Sequence, residues 1–117
     1  MTFIRYAGLL ALSAFFSLLV CNPALAESRD AQWNEFEQEV KQDCRDFWNA
    51  HKDELEMDSW SRFLNEECWV GAQEATYWSD SEGKFKVQDI FCPAYQTKIN
   101  LDYSLSGRRV QTCITFR

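Results

Sequence analysis

The sequence predicts an α+β domain behind an export segment, and three observations carry that reading. Apolar residues recur every three or four positions through an acidic first half, the period drops to two in a basic second half, and four cysteines are spread across both. A positively started apolar run at the N-terminus supplies the context in which those cysteines are read.

Residues 1–26 read as a cleavable signal peptide. Arg5 marks the n-region, an apolar core runs from Ala7 to Val20, and Asn22-Pro23 precedes Ala24-Leu25-Ala26. The core is shorter than the roughly 20 apolar residues of a spanning helix, and a small-x-small cleavage site lies behind it. No membrane span is therefore expected after cleavage, and the address is periplasmic or secreted. A lipid-anchored start at Cys21 would need a small residue before the cysteine; Val20 stands there instead.

The remainder, 27–117, is expected to form one domain, with a helical hairpin over 27–80 and a β-meander over 84–117. In the first helix the stripe is Trp33, Phe36, Val40, Cys44, Phe47 and Leu55, with Glu35, Glu37, Glu39, Lys41, Asp43, Arg45 and Asp46 between them. Asp58 or Ser59 caps a second helix reaching about Trp78, whose stripe is Trp60, Leu64, Cys68, Gly71, Ala72, Ala75 and Trp78. Folding about Glu56–Asp58 brings Cys44 level with Cys68. A bridge there closes a loop of 24 residues and stabilises by about 3 kcal/mol.

After Ser79-Asp80-Ser81-Glu82-Gly83 the pattern alternates. Tyr95, Thr97, Ile99, Leu101, Tyr103 and Leu105 share one face, and Ser106-Gly107 is a two-residue hairpin signal. That turn places Tyr103 opposite Val110, Leu101 opposite Thr112, Ile99 opposite Ile114 and Thr97 opposite Phe116. A loop at Cys92-Pro93-Ala94 pairs Phe91 with Tyr95, Val87 with Ile99 and Phe85 with Leu101, giving a three-stranded antiparallel sheet. Cys92–Cys113 is then assigned by exclusion, against a register that leaves the two apart.

Motifs for chemistry are thin. The cysteine intervals are 24, 24 and 21 without a C-x-x-C, which disfavours a zinc knuckle or a redox pair and favours two structural disulfides. His51 lies near Glu54, Glu56 and Asp58 without a metalloprotease spacing. The run Asp53–Asp58 lacks the alternation of a calcium loop. No catalytic set, metal site or cofactor is expected, and the chain is not read as an enzyme.

Charge is divided. Residues 27–82 hold 16 acids against 5 bases, and 83–117 hold 2 acids against 6 bases. An acidic whole with a modest basic edge excludes a nucleic-acid footprint and suits a basic protein partner. At about 100° per residue, Trp69 projects beside Arg62, Glu66 and Gln73, away from the apolar stripe. That makes it the expected interface anchor, with Trp48 a second. The reading is a small exported binding protein of inhibitor or immunity type, neutralising a cationic enzyme or toxin through an acidic helical face. The rivals are a hydrolase using His51 with a neighbouring carboxylate, and an envelope assembly module pairing through a sheet edge.

Overall fold

The computed structural model describes residues 29–117; the expected signal peptide lies outside them. Over the described residues the fold is α+β, with two helices, two separate two-stranded antiparallel sheets and two disulfides. Helix α1 covers 29–51, and a 3₁₀ turn, Lys52–Glu54, ends it. Helix α2 starts as Trp60–Phe63, widens into a π-helical turn at Leu64–Cys68 and finishes as Trp69–Glu74. Ser59 caps it, accepting the Arg62 amide at 3.3 Å.

The helices run antiparallel. Trp33 and Phe36 meet Trp69, Cys44 is bonded to Cys68, and Phe47 and Trp48 reach Phe63. The expected Cys44–Cys68 bridge is present with Cα atoms 6.0 Å apart. The link between helices is more structured than a short turn. Leu55 bridges to Phe116, Glu56 N–H donates to Thr115 O at 3.0 Å, and Arg117 N–H donates to Glu54 O at 2.9 Å. The chain end thus closes over the helix connection.

The expected three-stranded meander is replaced by two ribbons. Helix α2 stops at Glu74 rather than near Trp78, where Thr76 turns its hydroxyl back onto Ala72 O at 2.9 Å. Thr76–Ser79 is strand β1, pairing with β2, Lys84–Val87, so Trp78 faces Phe85 and Thr76 faces Val87. A β-branched residue before two aromatics prefers a pleated surface to a helix end, and Gly83, at φ 64°, completes the turn. Gln32 of α1 clasps this ribbon, donating to Gly83 O at 3.1 Å and accepting the Phe85 amide at 3.2 Å.

The second ribbon joins β3, Thr97–Leu105, to β4, Arg108–Ile114. Next to the turn the register is the expected one, with Leu105 opposite Arg108 and Ser104 opposite Arg109. Beyond it β3 bulges, and Asn100 faces Gln111, Ile99 faces Thr112 and Thr97 faces Ile114. The slip is of two residues, so each side chain keeps its face. Both displaced backbone groups find charged partners. Tyr103 N–H donates to Asp43 Oδ2 at 2.7 Å, and Asp102 O accepts from Arg109 Nη1 at 2.7 Å. The slip also sets Cys113 opposite Lys98. With 88–96 free of any strand, Cys92 then bonds to it at a Cα separation of 5.7 Å.

The core gathers Phe36, Val40, Leu55, Phe63 and Trp69 from the helical layer with Val87, Leu101, Val110 and Ile114 from the strands. Strand β4 crosses α2 at Gly71. Thr112 Oγ1 donates there to the carbonyls of Glu67 at 3.1 Å and Cys68 at 3.0 Å. A Cβ on residue 71 would lie 2.1 Å from that hydroxyl oxygen and 3.1 Å from the Cys113 amide nitrogen.

Gly71→Ala is therefore expected to destabilise by about 3 kcal/mol, lowering the thermal midpoint by roughly 15 °C. The penalty should shrink by at least half in a Thr112→Ala background; equal penalties in both would show that the crossing is not what excludes a side chain. The disulfides should also differ in reactivity. Cys44 and Cys68 are fully buried, whereas Cys92 and Cys113 are half-buried. Mild dithiol treatment, then alkylation and peptide mass mapping, should open Cys92–Cys113 first, with Cys44–Cys68 yielding only on unfolding.

Candidate functional site

The residues expected to bind a partner fall into two groups. Trp69, the expected anchor, is only 8% exposed. It packs on Trp33 at 5.7 Å and Phe36 at 5.5 Å, and Lys41 Nζ lies 5.4 Å from its ring centroid. Trp69 follows directly on the π-helical turn, which carries more residues than an α-helical one, and Glu67, Cys68 and Trp69 are all buried in succession. Trp48 is half-buried against Phe63 at 5.3 Å. Neither tryptophan is an exposed anchor. The other three, Arg62, Glu66 and Gln73, are exposed on α2. Arg62 bridges Asp58 at 3.2 Å and Glu66 at 3.0 Å. Its guanidinium is held further above its ordinary range by the Glu66 hydrogen bond first, then by the charges of Glu66 and Asp58.

The exposed aromatic surface lies elsewhere. Phe91 is 97% exposed and Tyr95 is 72% exposed, where the sequence pattern pairs them inside a sheet. Both sit on the 88–96 loop, which forms no strand. The loop is tied at its entry, middle and exit. Gln88 N–H donates to Ala75 O at 2.8 Å and Ile90 N–H to Gln111 Oε1 at 3.0 Å. Asp89 pairs with Arg108, which also reaches Val87 O at 3.1 Å. Cys92 is bonded to Cys113, and Gln96 N–H donates to Pro93 O at 2.9 Å.

Below the exit lies a buried carboxylate. Glu67 is 3% exposed and accepts from the Thr115 amide at 3.2 Å, the Thr115 hydroxyl at 2.5 Å and the Gln96 side-chain amide at 3.3 Å. These neutral donors replace the water that the carboxylate gives up. The same contacts fasten the loop to the π-helical turn.

Between loop and helix runs a groove of about 350 Å³. Glu66, Val70 and Glu74 form its helical wall, Phe91, Pro93 and Tyr95 its loop wall, and Glu67, Gly71, Gln96 and Cys113 its floor. The lining holds three carboxylates and no base. Sequence reasoning placed Glu66 on a binding face and confined the loop to Cys92-Pro93-Ala94, with Phe91 and Tyr95 paired as strand residues, whereas the loop runs over 88–96. Pro93 marks the middle of that loop, as it disfavours strand pairing, but nothing local in the sequence sets the loop's full extent.

Two other clusters have local roles. Asp43, Asp46 and Asp102 line a cleft of about 190 Å³ with Phe47, Asn100 and Leu101, and Asp43 is committed to the Tyr103 amide. Among the described residues no group of His, Cys, Asp or Glu is arranged to hold a metal ion. The His51 ring lies tilted against Phe47 with centroids 4.4 Å apart, and its Nδ1 lies 3.0 Å from Glu54 Oε2, bracing the end of α1. Among the described residues no helix is long and apolar enough to cross a membrane.

No protein-family model matches the chain, and neither a curated protein nor a solved structure does.

Burial holds the Asp43 carboxyl above its ordinary 3.8, opposed by the Tyr103 amide and reinforced by Asp102, Asp46 and Glu39. An acid raised in the folded state binds its proton more tightly there than in the unfolded chain. Its contribution to stability therefore falls as pH rises from 3.8 through the raised value. Asp43→Asn keeps an oxygen for the Tyr103 amide and removes the charge. Its advantage over the parent should grow between about pH 4 and pH 7 in urea unfolding. Asp43→Ala strands the amide and should be less stable than Asp43→Asn throughout. A parallel pH profile for the parent and Asp43→Asn would exclude the role.

Proposed function

We propose that the protein is a small exported binding protein of inhibitor or immunity type, acting in the periplasm or the medium, and that it engages its partner through the 88–96 loop and the groove beneath it. One observation carries this reading: a phenylalanine at 97% exposure on a loop stapled by a disulfide. Exposing a large apolar ring contributes nothing to folding, and exposed aromatics on a rigid support are what interfaces use as anchors. The hydrogen bonds and the disulfide hold the loop before any partner arrives, so little ordering entropy is lost on binding. Acidic lining, together with the excess of acids over residues 27–82, favours a basic enzyme or toxin and speeds its approach.

The test is site-specific photocrosslinking in cells that export the protein. A benzophenone side chain at position 91 should capture one basic partner, and the same probe at Gln38 on α1 should not. Phe91→Ala with Tyr95→Ala should abolish capture while leaving the circular dichroism spectrum and unfolding midpoint within error of the parent. The purified partner should lose activity when the parent protein is added and keep it when the double variant is added. Capture that is indifferent to position 91, or a partner unaffected by the parent, would overturn the reading.

A further inference from the structure

The groove resting on that interface has a chemistry of its own, which defines what part of a partner enters it. Three of the tryptophans are covered by cations from α1: Arg29 lies 5.0 Å from the Trp78 ring, Lys41 5.4 Å from Trp69 and Arg45 4.7 Å from Trp60. Tyr95 and Phe91 have no such cover and no ring neighbour among the described residues. Beside them stands Glu74, exposed, whose carboxylate has no ion-pair or hydrogen-bond partner among the described residues. Glu66, on the same wall, is partly neutralised by exposed Arg62.

We infer that the groove is a receptor for an arginine side chain of the protein partner. The guanidinium lies against the Tyr95 ring and turns its edge to Glu74, with Glu66 adding to the field. Bare aromatic faces and an unpaired carboxylate in a groove without a base are complementary to a planar cation. Arginine suits this better than lysine, because its plane stacks on a ring while its fork meets a carboxylate, and it sheds water more readily. A volume of about 350 Å³ accepts one long side chain and the backbone on either side of it. This assignment depends on the groove being the interface, though the interface does not depend on arginine.

The probes are three blocked tripeptides, acetyl-Leu-X-Leu-amide, with arginine, lysine or citrulline at X, titrated into the isotopically labelled oxidised protein and monitored by amide chemical shifts. Citrulline keeps the shape of arginine and removes its charge. The arginine peptide should move the amides of Val70, Glu74, Tyr95 and Gln96 and bind roughly tenfold more tightly than citrulline, with lysine between them. Glu74→Gln should remove most of that preference, and Glu39→Gln, on α1 and outside the groove, should leave it unchanged. Equal binding of arginine and citrulline, shifts centred elsewhere, or equal effects of the two Gln variants would overturn the assignment. Parity of lysine with arginine would overturn the part played by the guanidinium plane. If arginine shows no preference while the Phe91 and Tyr95 variants still lose the crosslinked partner, the interface stands and only the arginine assignment falls.

Discussion

The crossing of β4 over α2 at Gly71 is the constraint on which the rest of the architecture depends. With no side chain at residue 71, the Thr112 hydroxyl reaches two carbonyls of the π-helical turn, and β4 lies directly on the helix. That position brings Thr115 to the buried Glu67 carboxylate and sets Cys113 beside the helix wall, where Cys92 bonds to it. The loop carrying Phe91 is consequently placed by a helix–strand contact some distance along the chain. A side chain at 71 would lift β4 and disturb the carboxylate's partners, the disulfide and the loop together.

The helical layer was the most legible part of the sequence. Phe36, Val40 and Cys44 on one helix and Cys68, Ala72 and Ala75 on the other are buried as a 3.6-residue period implies, while Phe63, off the expected stripe, is buried in place of Trp60 and Leu64. The level at which two antiparallel stripes meet identifies Cys44–Cys68. The α-helical count misses Trp69, which follows directly on the π-helical turn, while Gly71, Ala72 and Ala75 beyond it are buried as expected. Nothing in Leu64–Cys68 announces that turn locally; it is stabilised by Thr112 and Thr115, distant in sequence. The strands divide in the same way. Alternation in β3 and β4 gives the buried faces correctly, while the bulge depends on Asp43 and Arg109, which meet it only in three dimensions. Thr76–Ser79 carries no clear alternation, and Trp78 also completes a helical stripe, so in sequence the strand reads as the helix end.

The candidate site was harder to read for a physical reason. Apolar residues in sequence default to the core, so Phe91 and Tyr95 read as strand residues packed inward. A disulfide reverses that expectation by supplying the restraint that burial ordinarily supplies. The opposite error occurred at Trp69, where polar neighbours suggested exposure and Lys41 in fact lies over the ring. Three basic residues of α1 act as lids on tryptophans, their stems covering apolar area while their charges remain near water.

Phe91 buries almost nothing in the fold and Tyr95 only a minor part of its surface, so folding places little demand on either ring. Exposed positions typically tolerate exchange within about 0.5 kcal/mol, whereas a buried ring costs several. Variation at 91 and 95 is nearly free for the scaffold, because the restraints that aim the loop reside in Cys92, Cys113, Glu67 and Gln96. If the proposed binding role holds, the residues that keep the molecule's shape are distinct from those that would meet its partner, and recognition could change by substitution at two positions without a new fold.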